Sequence, residues 1–323
     1  MILSALLSGL VATSCATTGG TPSAAANSGL EEGASPTTSA ASAPTRPPEP
    51  LDRRDVAYAS ASPRQRLDLY VPSSGAAPYP LVVWIHGGGW ERGDQTLAPD
   101  APVRTLLTDG FAVASVDYRL SQDAPFPAQI DDVKAAVRFL RANAVTWSLD
   151  PKRFGAWGDS AGGHLAALLG TTGGVATFDA AALGNVDESS RVQAVVDWYG
   201  PSSFSTMDAQ FAEDGCAKRA DPAWSVESKL IGAAIPSEPA LAAAASPITY
   251  VTPDDPPMLI EHGTSDCMVP WQQSALLAGA LTKAIGAANV TEVLLPLAGH
   301  GGEAFTGPAN LARVVSFFTS HLR

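Results

Sequence analysis

Short apolar runs rich in β-branched and aromatic residues recur along this chain, and a longer segment with helical spacing follows most of them. PLVVWIHGG, from Pro80, and FAVASVDYR, from Phe111, are near-continuous apolar runs, the mark of strands covered on both faces. Between them DAPVRTLLTDG reads as a short helix closed by Gly110. PAQIDDVKAAVRFLRANA then places Ile130, Val133, Val137 and Leu140 on one helical face. The alternation repeats: RFGAWGDS, VQAVVDWYGP, PPMLIEHG and EVLLPLAG read as strands. AGGHLAALLG, WQQSALLAGALTKAIG and NLARVVSFFTSHL read as helices. RLDLYVP alternates in the manner of an edge strand. Strands alternating with helices of this length imply βαβ units and an α/β fold, a mainly parallel, doubly wound sheet with helices on both faces. Functional groups are then expected at the carboxyl ends of the strands.

Two stretches depart from this rhythm. Residues 202–247 carry Phe204, Met207, Phe211, Trp224 and Leu230 among Asp, Gly and Pro, with short helical pieces only. They are expected to form a small cap over the site. Residues 16–50 are almost entirely Ala, Ser, Thr, Gly and Pro, too poor in apolar surface to offset ordering entropy, and read as a disordered linker. The folded body is therefore placed at 51–323, and the full chain of 323 residues, 46% hydrophobic, suffices for one substantial core. A formal charge of −12 argues against a nucleic-acid partner, which calls for a basic surface. After the amino terminus no apolar run approaches the roughly 20 residues of a membrane span.

GDSAG, residues 158–162, follows a predicted strand and opens a predicted helix. That is the setting of a G-x-S-x-G nucleophile elbow, with glycines where a Cβ would meet the neighbouring strand or helix. Ser160 is the expected nucleophile. HGGGW, residues 86–90, follows another strand. It lacks the Lys-Ser/Thr of a phosphate-binding loop, so its glycines are assigned to an oxyanion hole. The donors are expected to be the backbone N–H groups of Gly88, Gly89 and Ala161, with His86 holding the loop.

Of five histidines, His164 lies one turn into the helix after Ser160, His262 ends a strand, and His321 sits in the last helix. His300, in the glycine-rich loop after EVLLPLAG, is the expected general base. The chain order Ser…Asp…His calls for an acid between Ser160 and His300. Asp266, just past MLIEH, fits best, because Asp197 lies within a strand while Asp254 and Asp255 precede one. Trp90 and Trp271 are candidates for lining a substrate pocket. No metal-ligand spacing is present, and no cofactor is expected.

HGGGW, VDYRLSQDAPFPAQIDDV, GDSAGGHLA, HGTSDCMVP and GHGG resemble an α/β-hydrolase of the esterase/lipase superfamily over about residues 64–322. The first three blocks are similar to hormone-sensitive-lipase-like bacterial esterases. HGTSDCMVP is closer to the prolyl-oligopeptidase-like and the feruloyl and acetyl-xylan esterase branch. The resemblance implies an α/β-hydrolase fold and a serine carboxylesterase acting on short-chain acyl, hydroxycinnamoyl or acetyl-polysaccharide esters. A serine peptidase or amidase of the prolyl-oligopeptidase-like branch and a non-catalytic binding module are the alternatives.

Residues 1–15 read as a secretory signal segment, so export is expected. VATSC resembles a bacterial lipobox, which implies a lipid anchor at Cys15; a plain signal peptide with an incidental cysteine is the alternative. With Cys15 set aside, Cys216 in the insert and Cys267 beside Asp266 remain, and an oxidising compartment favours their pairing as a disulfide.

Overall fold

A computed structural model describes residues 51–72 and 75–323. The signal segment, Cys15 and the linker 16–50 lie outside the described residues. Among the described residues eight strands form one sheet: β1 (Leu51–Ala57), β2 (Arg66–Tyr70), β3 (Tyr79–Ile85), β4 (Ala112–Val116), β5 (Leu149–Asp159), β6 (Ala194–Trp198), β7 (Met258–Gly263) and β8 (Val290–Leu295). Their spatial order is β1-β2-β4-β3-β5-β6-β7-β8. The β1–β2 and β2–β4 pairs are antiparallel, and every pair from β4 to β8 is parallel.

The helices are α1 (Thr105–Thr108), α2 (Ala128–Ala142), α3 (Ala161–Thr171), α4 (Met207–Glu213), α5 (Val226–Ile231), α6 (Pro239–Ala244), α7 (Gln272–Ile285), α8 (Glu303–Thr306) and α9 (Pro308–Leu322). They cover the sheet on both sides, and the strand pleat explains the continuous apolar runs. Leu81, Val83 and Ile85 of β3 face a core completed by Ile130 and Val137 of α2, Leu165 of α3 and Leu277 of α7. Val82 and Trp84 point the other way, into a core with Leu106 of α1, Phe305 of α8 and Phe318 of α9. A strand buried on both faces reads as a near-continuous apolar run, and the few polar residues within such strands, Ser115, Asp197, Glu261 and His262, are themselves buried.

One expectation needs correcting. RLDLYVP does not form the edge; β2 lies second, with four of its five residues buried. The edge is β1, whose charged residues hide its strand character. Asp68 of β2 accepts a hydrogen bond from the Asp55 N–H at 2.8 Å, and Arg54 lies 3.9 Å from the same carboxylate. An edge strand carrying charge resists pairing with another chain.

Segment 202–247 contains α4, α5 and α6, with a single-turn helix before α4 and another between α5 and α6. Its apolar residues Phe204, Met207, Phe211 and Leu230 are fully buried and belong to the core on the α2–α3 side of the sheet. A disulfide joins Cys216 to Cys267, with Cα atoms 5.4 Å apart and a sequence separation of 51. It ties the segment after α4 to the loop after β7. Lys218 adds a second tie, donating to the Met268 carbonyl at 2.6 Å.

Closing a loop of this length contributes about 4 kcal/mol in the chain-entropy model. Cys216→Ser with Cys267→Ser is therefore expected to lower unfolding stability by up to that amount in urea titrations. Thiol titration of the unfolded, unreduced parent should find neither cysteine reactive; two reactive thiols at these positions would contradict the bond.

Candidate active site

Four loops converge because four parallel strands, β3, β5, β7 and β8, end on the same side of the sheet. HGGGW follows β3, Ser160 follows β5, Asp266 follows β7 and His300 follows β8. Each loop is fixed by backbone as well as by side chains.

Ser160 sits at φ +55°, ψ −118°, between β5 and α3. A non-glycine residue holds such a conformation only when its surroundings enforce it. Here they do. A Cβ on Gly158 would lie 2.2 Å from the Gly162 carbonyl oxygen, and one on Gly162 would lie 2.0 Å from that of Ile85. The strand and helix backbones approach so closely that only glycine fits at either position. The Ser160 N–H is held by the Trp198 carbonyl at 2.8 Å.

His300 Nε2 lies 2.8 Å from Ser160 Oγ, and His300 Nδ1 lies 2.6 Å from Asp266 Oδ2. The other carboxylate oxygen of Asp266 accepts the N–H groups of Met268 at 2.7 Å and Val269 at 3.0 Å. His262 Nε2 lies 3.3 Å from Asp266 Oδ2 and 3.0 Å from the Val269 carbonyl, while its Nδ1 meets Ser274 Oγ at 2.6 Å. Burial of Asp266 pushes its pKa up, but hydrogen bonds from His262 and His300 outweigh that and hold the carboxyl well below its ordinary range. Asp266 is thus an anion, 1% exposed, with both oxygens engaged. The acid loop and the histidine loop pack backbone to backbone: Ser265 N–H donates to the Ala298 carbonyl at 2.8 Å, and a Cβ on Gly263 would lie 2.3 Å from that same oxygen.

Gly88 and Gly89 have φ of +107° and +63°, and a Cβ on Gly88 would lie 2.3 Å from the Arg92 carbonyl oxygen. The loop is pinned at both ends. Asp159, next to Ser160, accepts the Gly87 N–H at 3.1 Å. His86 stacks on Tyr118, with ring centroids 4.4 Å apart, and its Nδ1 lies 2.8 Å from the Gly87 carbonyl. Trp90 Nε1–H donates to His164 Nδ1 at 3.2 Å, and His164 Nε2–H donates to the Ala245 carbonyl at 2.6 Å. His164 therefore links the glycine loop, α3 and the segment just after α6.

The cleft has a volume of about 250 Å³, and Gly88, Gly89, Trp90, Ser160, Ala161 and His300 all border it. The indole of Trp90 is nevertheless a core group, 2% exposed and hydrogen-bonded inward. Trp271 does not border the cleft; it stands at the start of α7, so its expected place in a pocket is corrected. Sequence reasoning missed several wall residues: Asp159, Tyr199, Lys218, Glu227 and Met268. Tyr199, at φ +45°, follows β6 and packs its ring 4.6 Å from that of His300. Lys218 and Glu227 pair at 2.6 Å. Among the described residues no group of three His, Cys, Asp or Glu is arranged to hold a metal ion.

A serine hydroxyl bonded to an imidazole, whose far nitrogen meets a buried carboxylate, is the arrangement that activates serine as a nucleophile. Comparisons with known proteins point the same way. The BD-FAE family model matches residues 67–281. Esterase LipC of Mycobacterium tuberculosis is 31% identical over 280 residues, covering 84% of this chain and 66% of LipC. The chain thus spans about two thirds of the length of that relative. Among solved structures, a truncated carbohydrate esterase from gut microbiota aligns with a TM-score of 0.75 at 33% identity, covering 84% of this chain and 97% of its own. The acetyl ester-xyloside bifunctional hydrolase from Caldicellulosiruptor lactoaceticus aligns with a TM-score of 0.61 at 26% identity, covering 79% and 88%.

The His164 bridge carries a pH dependence. Burial lowers its pKa from 6.5 to about 4, opposed by the hydrogen bond to the Ala245 carbonyl. A folded pKa below the unfolded one gives stability that is present above about pH 6.5 and lost as pH falls toward 4. Asp131, Asp197 and Asp255, each raised to about 6 chiefly by burial, act in the opposite sense. Comparison with His164→Gln isolates the histidine. Between pH 7 and pH 4 the parent should lose roughly 3 kcal/mol more unfolding free energy than the variant. Parallel profiles would contradict this.

Proposed function

The chain belongs to the BD-FAE family of α/β-hydrolases, and from that premise we propose that it is a serine carboxylesterase working through Ser160, His300 and Asp266. The observation that carries this reading is the unbroken line of hydrogen bonds, 2.8 Å and 2.6 Å, from serine to histidine to carboxylate at the edge of a cleft.

In the acylation step Ser160 Oγ bonds to the ester carbonyl carbon as its proton passes to His300 Nε2. Asp266 keeps the proton on His300 Nδ1 and stabilises the imidazolium. The carbonyl oxygen, now negative, is received by the N–H groups of Gly88, Gly89 and Ala161, backbone donors that need no reorganisation. As the tetrahedral centre collapses, the C–O bond to the alcohol breaks and His300 gives its proton to the departing oxygen. Water then repeats the sequence on the acyl-enzyme, His300 accepting its proton, and the carboxylic acid leaves.

The cleft volume of about 250 Å³ favours short acyl groups over long chains. Two structural relatives, one named a carbohydrate esterase and the other an acetyl ester-xyloside bifunctional hydrolase, support acetylated polysaccharide as the substrate class. The same reading takes the chain as exported, with Cys15 as the candidate lipid-anchored residue. The Cys216–Cys267 disulfide supports an oxidising compartment.

Turnover of 4-nitrophenyl acetate, acetylated sugars and matched amides tests this reading. Esters should be cleaved and amides spared. Ser160→Ala and Asp266→Asn should each lower kcat by about 10⁴-fold or more. Ester hydrolysis that survives Ser160→Ala would remove the assignment.

A further inference from the structure

One wall of the cleft holds polar groups that the acyl-transfer steps leave unused. Glu227, on α5, has a side chain 1% exposed. Its Oε1 accepts from Lys218 Nζ at 2.6 Å, while Oε2 is buried and has no hydrogen-bond partner among the described residues. Burying a carboxylate is costly unless its oxygens are met. Holding the cap to the acid loop does not require that cost, because Lys218 already bonds the Met268 carbonyl and the disulfide lies alongside. Both Lys218 and Glu227 border the same cleft as Ser160 and His300.

A second observation lies three residues earlier. Trp224 is 68% exposed, an unusual position for a side chain that is mostly buried in folded proteins. Its neighbours border two cavities. Val226 and Glu227 line the catalytic cleft, whereas Ala223, Ser228 and Lys229 line an adjoining groove of about 460 Å³ together with the polar Ser121 and Gln122. The stretch from 223 to 229 is thus a partition between the reacting centre and that groove.

On the esterase reading above, which this inference depends on, we propose that this stretch recognises the alcohol side of a carbohydrate ester. A hydroxyl of the sugar ring bearing the acyl group donates to Glu227, and the exposed indole face of Trp224 packs the C–H face of a neighbouring ring. A sugar offers both the O–H donor and the flat apolar face that this pair of side chains calls for. A simple aryl or alkyl alcohol offers no hydroxyl hydrogen beyond the ester oxygen. The groove beyond α5 then receives further rings of the chain.

The test uses two substrates with the same acyl group, 4-nitrophenyl acetate and an acetylated xylo-oligosaccharide, on the parent, Glu227→Gln and Trp224→Ala. The ratio of kcat/KM for the sugar ester to that for the aryl ester should fall at least fivefold in each variant. For Trp224→Ala the fall should lie in KM for the sugar ester. A ratio that changes less than fivefold, including equal losses on both substrates, overturns the proposal and leaves Glu227 a brace for the cap. Trp224→Ala, on an exposed side chain, carries the test if Glu227→Gln fails to fold. A parent that cleaves 4-nitrophenyl acetate but not the sugar acetate overturns this inference alone; a parent that cleaves neither overturns the esterase reading as well.

Discussion

Everything at the site depends on how closely β5 and α3 approach each other at Ser160. With Gly162 against the Ile85 carbonyl and Gly158 against Gly162, the turn is too tight for any Cβ at either glycine. The serine between them is held at φ +55°. A backbone conformation of this kind costs of order 1–3 kcal/mol, and it persists because two buried elements enforce it. The strain lifts Ser160 Oγ off the sheet end and puts the first N–H of α3, that of Ala161, beside it. The parallel sheet does the rest, since β3, β7 and β8 end on the same side and deliver the glycine loop, the acid and the histidine.

Electrostatics is settled in the acid loop rather than at the serine. Asp266 is a buried anion, and such a group survives only when its lone pairs are met. Two backbone N–H groups, His262 and His300 meet them. His262 in turn is anchored by Ser274 of α7. Cys267 and Met268, the next two residues, are tied to the cap by the disulfide and by Lys218. The stretch HGTSDCMVP therefore joins the histidine, the carboxylate and the cap within nine residues.

Much of this was legible in the chain. The inner strands announce themselves because burial on both faces favours near-continuous apolar runs, as in VVWI. Ser160, Asp266 and His300 stand out because each follows a predicted strand within a glycine-bearing turn. The edge strand β1 was not legible: its LDRRDVA carries the charges an edge tolerates and lacks the alternation by which strands are recognised. Trp271 stands close to Asp266 in sequence, yet its backbone starts α7 and carries it past the cleft. Lys218, Glu227 and Tyr199 are not legible in the sequence for a different reason. Lys218 reaches the cleft from an irregular segment, Glu227 from a helix of only six residues and Tyr199 from a left-handed turn, and none of these offers a periodicity long enough to assign a direction to a side chain.

Covalent trapping tests the central claim most directly. A fluorophosphonate reacts only with an activated serine, so peptide mapping of the labelled protein reports which serine the folded site activates. The account predicts one adduct per chain, on Ser160, and its loss in His300→Ala. Labelling at another serine, or no labelling of the folded protein, would contradict it.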